Sequence, residues 1–279
     1  MLPTRPPSNV APEATRKAVA RNDETLLRQL AARPWSPASA RAAQGLGLDN
    51  AARRSLLDPG DPLIAVDLER AACASAALFA ALAAGAGAEL EVPLPHSDET
   101  VTMTGAAPHP NLGDPIYWRT GLLAALAVRK RRAIELLAGI PLDLLRQLAP
   151  ADPPWALRER EALQALALGR RDAPDLLVAA AAAADPKTAP DLARDWVLDV
   201  VTPELQLGFR ALARDQAGVD QWMTEAIKGH HHYYFQRPDR RNDLMAQLAL
   251  APLAMACVAH DMGVRTSVAT DYVPARVIA

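Results

Sequence analysis

The sequence is poor in cysteine and in aromatic residues, and neither sign of charge dominates it. Two cysteines provide no disulfide framework, and Cys73 and Cys257 both lie in apolar helical sequence, so we expect buried free thiols. A net charge of −2 lacks the basic excess typical of nucleic-acid binding, and no nucleic-acid partner is expected. Aromatic residues make up only 4% of the chain, whereas alanine and leucine, both good helix formers, dominate it.

Signal-peptide and membrane signals are also weak. The N-terminal stretch MLPTRPPSNVAPEATRK has no apolar core of the kind that a signal peptide needs. The longest uncharged run, 71–88, is strongly apolar only at Leu78, Phe79 and Leu82, because alanine and glycine contribute little to membrane insertion. The run therefore favours a buried helix over a membrane span, and we expect a cytoplasmic protein with no membrane partner.

The distribution of prolines and glycines indicates helices with many short connections. The 24 prolines and 14 glycines lie mostly between apolar runs rather than inside them. An Ala-Leu-Ala step begins at Ala125, Ala165 and Ala211, and each copy is followed by a short polar break and a second helical stretch. This echo predicts an all-α fold of stacked antiparallel helical hairpins, similar to an α-solenoid.

One segment interrupts the helical pattern. Residues 88–105, AELEVPLPHSDETVTMTG, alternate apolar and polar side chains on either side of a polar turn, which predicts a small β-hairpin. The proline-rich residues 1–10 are expected to be disordered. Residues 11–279 then form a single helical domain, with an N-terminal helical part at 11–87, the hairpin, and a helical-hairpin part at 112–279.

The stretch KGHHHYYFQ, residues 228–236, holds three consecutive histidines. Neighbouring side chains on a helix point about 100° apart, so His230, His231 and His232 fan out and cannot all ligate one ion. His230 is predicted to lie at the buried edge and to hydrogen-bond a backbone carbonyl, whereas His232 faces solvent. Tyr233 is a candidate contact to a partner protein. The core-facing stripe comprises Met223, Ala226, Ile227, His230 and Tyr234.

An acidic row follows at Asp191, Asp195 and Asp199, with helical spacing. Such a row is either a solvated helix face or an acidic ridge that docks a basic partner. The tip of the predicted hairpin, Asp98 and Glu99, allows the same two interpretations. We therefore treat these five residues, with His232 and Tyr233, as candidates for partner binding.

An enzymatic alternative is weaker. The adjacent His260 and Asp261, with His96 or His109 and a later Asp271, resemble the ligand set of helical metal-dependent phosphohydrolases. Both earlier histidines, however, lie in or after the predicted hairpin, and the His-Asp pair lies close to the C-terminal end. The sequence contains no HExxH, paired CxxC, Walker loop or GxSxG motif. We expect no catalytic residues, no metal and no cofactor.

The C-terminal third carries a resemblance to a known family. The runs HHHYY, LALAPLAMACVAHDMG and VATDYVPARVI resemble the end of a bacterial immunity-protein family, the one numbered forty-nine in polymorphic-toxin systems. Upstream, YWRTGLLAALAVRKRRAIELLAGIPLDLL is similar to the family's tryptophan helix and to the helix that follows it. The matching positions are Trp118, Pro141, Leu144, Leu145, His230, Tyr233, Tyr234, Pro252, Ala259, Asp261, Gly263, Asp271, Tyr272 and Pro274. They look architectural, with glycine ending a helix, proline bending one and tyrosine packing with a polar tip.

The resemblance implies a helical protein, encoded beside a toxin, that neutralises the toxin by direct binding and has no catalytic role. The setting would be bacterial competition through contact-dependent or type VI secretion. Together with the expected cytoplasmic location, this implies a toxin that acts in the cytoplasm, such as a nuclease or a nucleotide- or RNA-modifying enzyme. The competing hypothesis is a tetratricopeptide-like helical scaffold that binds another protein. The oligomeric state is left open.

Overall fold

The computed structural model shows a largely helical protein with one small β-hairpin. It describes residues 2–6, 11–31, 35–95, 99–187, 189, 191–237 and 239–279. The predicted disordered N-terminus, 1–10, is covered only at 2–6. There Arg5 donates hydrogen bonds to the backbone carbonyls of Ser55 and Asp271, so this part is anchored to the helical body.

Three long helices form the N-terminal part: α1 (Pro12–Ala31), α2 (Pro37–Leu57) and α3 (Leu63–Ala84). The alanine-rich α3 packs closely along α2, because small residues face each other; a Cβ at Gly47 would lie 2.8 Å from the carbonyl oxygen of Asp67. The same Asp67, fully buried, accepts hydrogen bonds from side chains of both helices. The contact between α2 and α3 therefore buries closely packed small residues together with a carboxylate that is paired with arginines.

The predicted β-hairpin is confirmed. Strands β1 (Glu89–Pro93) and β2 (Thr100–Thr104) pair antiparallel, with Val92 opposite Val101 and Glu89 opposite Thr104. Val92, Val101 and Met103 are buried, whereas the alternate residues of β2 are exposed. The alternation of apolar and polar residues therefore places one face of the hairpin on the core, as a half-buried ribbon requires.

The C-terminal part consists of helical hairpins, and the all-α prediction is confirmed. The hairpins α5–α6, α8–α9 and α11–α12 pack as neighbours. Helix α13 returns to pack against both α5 and α11, which closes the stack. The helices are α4 (Pro110–Gly113), α5 (Pro115–Ala127), α6 (Arg131–Ala138), α7 (Leu142–Leu148), α8 (Pro154–Ala167), α9 (Ala173–Ala183), α10 (Asp191–Trp196), α11 (Thr202–Leu212), α12 (Gln216–Phe235), α13 (Leu250–Asp261) and α14 (Ala275–Ile278).

The three Ala-Leu-Ala copies end in the same kind of turn. Arg129, Gly169 and Arg214 have positive φ of 56°, 62° and 53°. In each turn the next amide bonds a carbonyl five residues earlier, as from Lys130 to Ala125, at 3.0 Å. Glycine is the usual residue at such a left-handed helix end, so Arg129 and Arg214 adopt a strained backbone conformation.

Helices α10 and α11 are joined by a π-helical segment, Val197–Val201, which the sequence did not predict. Pro203, the second residue of α11, has no N–H with which to continue an α-helical hydrogen-bond ladder. The amide of Thr202 instead bonds the carbonyl of Val197, which closes a wider turn.

The structure also shows the positions of Pro252 and of the two cysteines. Pro252, expected to bend its helix, is instead in the first turn of α13, where the missing N–H interrupts nothing. Cys73 and Cys257 are free and buried as predicted, and burial raises the pKa of each thiol to about 12. In the part of the chain that the structure describes, no helix has the length and apolar character of a membrane span.

Candidate functional site

The three histidines of α12 point in different directions, as their helical spacing predicts. The His230 Nε2–H donates to the carbonyl of Ala246 at 3.1 Å, which confirms the predicted carbonyl partner. The His231 Nδ1 lies 2.9 Å from the Tyr272 hydroxyl, and the His232 Nδ1 lies 2.6 Å from Asp199 Oδ2. Each ring thus has its own partner on a different segment of the chain.

Burial keeps His230 neutral. Its ring is 7% exposed and packs against the rings of Tyr234 and Tyr272, with centroids 4.8 and 5.3 Å away. Burial lowers the pKa of His230 to about 4, and the hydrogen bond to Ala246 offsets this only in part. The ring is therefore uncharged at neutral pH and acts as a hydrogen-bond donor within the core.

His260 lies 3.6 Å from Asp261, but two residues of the phosphohydrolase alternative have other partners. Asp261 binds the Arg129 guanidinium through both carboxylate oxygens, at 2.9 and 3.0 Å. His109 caps α4 by accepting from the amide of Asn111. His96 lies outside the described residues. No group of three or more histidine, cysteine, aspartate or glutamate side chains suited to a metal ion is found among the residues with assigned positions.

The acidic row is compensated by nearby cations. Asp195 lies 3.0 Å from Arg237 and 3.6 Å from Arg240, while Asp199 pairs with His232. The Asp199 side chain is only 16% exposed, and burial raises its pKa while His232 opposes that effect. The side chain of Asp191 lies outside the described part of the chain. Asp195 is thus ion-paired and Asp199 is hydrogen-bonded, so these two residues do not form a bare negative stripe.

Tyr233 lies beside these ion pairs. Its ring packs edge-on against Trp196, with centroids 5.2 Å apart, and the Arg240 guanidinium lies 3.9 Å from its centroid. The structure therefore brings together four of the predicted partner-binding residues from two helical segments. We call Asp195, Asp199, His232 and Tyr233 the α10–α12 patch.

The hairpin-tip candidates do not join this patch. Glu99 is exposed on the β-hairpin, where its carbonyl accepts from the amide of Leu94 at 3.1 Å. Asp98 lies outside the described residues. The predicted candidates therefore separate into the α10–α12 patch and the hairpin.

A cavity of about 370 Å³ opens beside the patch. Its walls come from α5, α10, the π-helical segment, α11, α12, the segment that precedes α13, and the first turn of α13. Asp199 and Tyr233 contribute to the wall, and Ile116, which is 37% exposed, places part of it at the surface. The π-helical turn thus contributes both to the patch and to the cavity, as π-bulges often do at functional sites.

A buried charge cluster lies beside the cavity, and two of its members, Arg119 and Glu204, line it. Arg119 donates to Glu159 at 2.7 Å and also to Glu204 Oε2, and all three side chains are buried. Glu204 lines the cavity, and its Oε1 has no hydrogen-bond partner among the described residues. Glu204 follows the acidic row in the sequence but, at 1% exposed, is not part of a solvated face. Arg119 is the one charged residue in the apolar stretch IYWRTGLLAALAV, and this isolated charge was the sequence signal for a buried cluster.

The positions that carry the family resemblance make contacts within the fold. The Trp118 indole donates to the carbonyl of Leu137 at 2.8 Å, and Tyr272 is fully buried. Gly263 has φ +84°, which ends α13 in a left-handed turn. Pro141 and Pro274 directly precede α7 and α14. These residues begin and end helices or fill the core.

Comparison with known proteins supports this resemblance. No curated protein and no solved structure matches the chain. The family described as immunity protein 49 matches residues 61–277, which include α3, the hairpin, the cavity and most of the C-terminal segment. An immunity family indicates a toxin-neutralising role and a cognate toxin as partner. Because the match extends over most of its length, the chain belongs to the immunity protein 49 family.

Proposed function

We propose that this immunity protein neutralises its cognate toxin by direct binding through the α10–α12 patch. The observation that carries the proposal is the meeting of Asp195, Asp199, His232 and Tyr233 from two helical segments at the rim of one cavity. Family membership supplies the class of partner. The patch supplies charge and an aromatic ring, which are the groups that anchor tight interfaces.

The ion pairs fix the patch before any partner arrives. Arg240 lies over the Tyr233 ring and also near Asp195, so the tyrosine and the carboxylate are held by one guanidinium. Holding these side chains in place lowers the entropy that binding would cost. His232 remains 61% exposed and Arg237 48% exposed, so an imidazole and a charged guanidinium are available to a partner at the rim. Rim charges act mostly on the rate of association.

The first experiment is co-expression with the toxin gene expected beside this one, scored as rescue of growth, together with the affinity of the purified pair. The matched perturbation is Asp195→Asn with Asp199→Asn, which removes two negative charges and keeps the side-chain size. We expect about 5- to 20-fold weaker binding, mostly through slower association that depends on ionic strength. Lysine would be a poorer choice, because at position 195 it would face Arg237 and Arg240.

The control is Glu135→Gln, a charge change on α6, where Glu135 makes an exposed pair with Arg131. It should leave affinity unchanged, and the helical circular dichroism of all variants should match. Equal affinity of the double variant and the unmodified protein would exclude this patch as the docking face. Absence of any complex with the toxin would instead contradict the proposed function itself.

Action in the cytoplasm, against a nuclease or a nucleotide- or RNA-modifying toxin, stays a prediction. A toxin expressed inside the cell without an export signal tests it directly. Growth arrest that this protein relieves would support cytoplasmic action. Degraded or modified nucleic acid in the arrested cells would identify the chemistry.

A further inference from the structure

We propose that the cavity beside the α10–α12 patch receives an arginine side chain of the toxin, with Glu204 as its charged acceptor. This inference rests on the proposed function and deepens it, because it names the group that the partner inserts. Three independent features carry it: an unpaired buried carboxylate oxygen, an excess of negative charge, and aromatic walls.

The carboxylate of Glu204 is the first feature. One oxygen accepts from Arg119, whereas the other, Oε1, is buried without a partner within the described residues. A buried ionised oxygen without a donor is unfavourable, and native proteins rarely leave one so. Glu204 lines the cavity, so a donor that enters the cavity can reach this side chain.

The balance of charge is the second feature. Arg119 is the one cation recorded in contact with both Glu159 and Glu204, so the described cluster carries one more negative charge than positive. Asp199 and Asp243 add two carboxylates to the cavity wall. Arg240 also lines the wall, but it lies near Asp195 and stacks on Tyr233. Among the described residues, the wall therefore favours a cationic ligand over an anionic one.

Aromatic rings are the third feature. Trp196, Tyr233 and Tyr234 line the cavity, and Arg119 already lies 5.1 Å from the Trp196 ring. A planar guanidinium stacks on such rings while its edge donates hydrogen bonds to a carboxylate. A cavity of about 370 Å³ has room for a long side chain. Arginine is also among the residues most often found as interface anchors.

The first test uses a small probe and needs no toxin. N-acetyl-arginine amide is titrated into the purified full-length protein and followed by NMR, with N-acetyl-norleucine amide as the uncharged control. We expect millimolar binding of the arginine probe only, with shifts at residues around the cavity. Glu204→Gln should abolish it, because the amide can still accept from Arg119 but presents a donor and no charge to the cavity. Glu135→Gln, far along the chain on α6, should bind the probe like the unmodified protein.

The second test uses the toxin complex. Glu204→Gln should weaken toxin binding at least 10-fold. Substitution of the inserted toxin arginine should cause a similar loss, and the two substitutions together should weaken binding no more than either one alone. Val200→Phe fills the cavity from a partly exposed position and replaces no charged residue, so it remains informative if the glutamine variant is unstable. Full affinity in a folded Glu204→Gln variant, or in Val200→Phe, would refute the inference and leave the proposed function intact. Loss of the complex for the unmodified protein would instead refute the proposed function.

Discussion

The crossing of α12 over the π-helical segment gives the sharpest prediction about stability. Gly229 lies where the two helices meet, and a Cβ added there would lie 2.9 Å from the carbonyl carbon of Asp199 and 3.0 Å from its Cα, with the carbonyl oxygen nearer still. These neighbours are backbone atoms, so rotation of a side chain cannot relieve the clash. Only a separation of the helices by several tenths of an ångström can admit the methyl group.

Gly229→Ala should therefore destabilise the protein despite the better helix propensity of alanine. Forcing an extra group into a close-packed contact costs about 1–3 kcal/mol, and a contact between two backbones belongs at the upper end. Alanine in a helix interior returns up to about 1 kcal/mol relative to glycine. We expect a net loss of about 2 kcal/mol in the free energy of unfolding, or roughly 4–8 °C in the melting temperature.

Gly45 on α2 provides the matched control. A Cβ there would meet only the Arg41 side chain, at 3.4 Å, so Gly45→Ala should gain about 0.5–1 kcal/mol from propensity alone. Urea unfolding followed by circular dichroism measures both variants. If Gly229→Ala were as stable as the unmodified protein while Gly45→Ala behaved as expected, the close helix crossing would be wrong. Because Asp199 is in the patch, the same variant should also weaken toxin binding.

Two further predictions concern strain and pH. Arg214→Gly should stabilise by about 0.5–1 kcal/mol, since it relieves a positive φ. Arg129→Gly relieves a similar φ but removes the part-exposed pair with Asp261 and two hydrogen bonds to the carbonyls of Val277 and Ile278, so we expect a net destabilisation of about 1 kcal/mol; thermal melts compare the two variants. His230→Gln should reduce acid sensitivity. The folded-state pKa of His230 is lowered to about 4, so protonation favours the unfolded state, and stability falls as the pH drops from the unfolded value near 6.5 towards 4. From pH 7.5 to 5 the unmodified protein should lose about 2 kcal/mol more than the variant in urea titrations; equal losses would contradict a neutral buried ring.

Local sequence signals were enough to predict much of the fold. Caps such as Asp114 before α5 and the alternation along 88–105 act within a few residues, so a single chain displays them. The fan of three histidines follows from helical geometry alone. His230 was placed correctly because a polar ring on a core-facing stripe requires a hydrogen-bond partner.

The features that the sequence did not reveal depend on residues far apart in the chain. Arg119 pairs with carboxylates 40 and 85 residues away, which no periodicity connects. The π-helical turn precedes Pro203 and is crossed by α12 at Gly229, and Asp199 within it and Glu204 after it line the same cavity. Asp195 and Asp199 have the expected spacing, but their compensation by Arg237 and His232 becomes visible only when α12 packs alongside.

Three adjacent residues at the end of α12 contribute both to the shared fold and to the proposed toxin-binding surface. His231 binds the hydroxyl of Tyr272, and so holds the C-terminal segment that carries the family resemblance. Its neighbour His232 binds Asp199 in the patch, and Tyr233 packs on Trp196 at the cavity. Because successive helical residues face different directions, one side of this helix can stay fixed with the fold while the other varies with the toxin. Exchanging His232 and its partner Asp199 between two members of the family should therefore change toxin preference without unfolding either protein, whereas exchanging Tyr272 for a smaller residue should affect stability first.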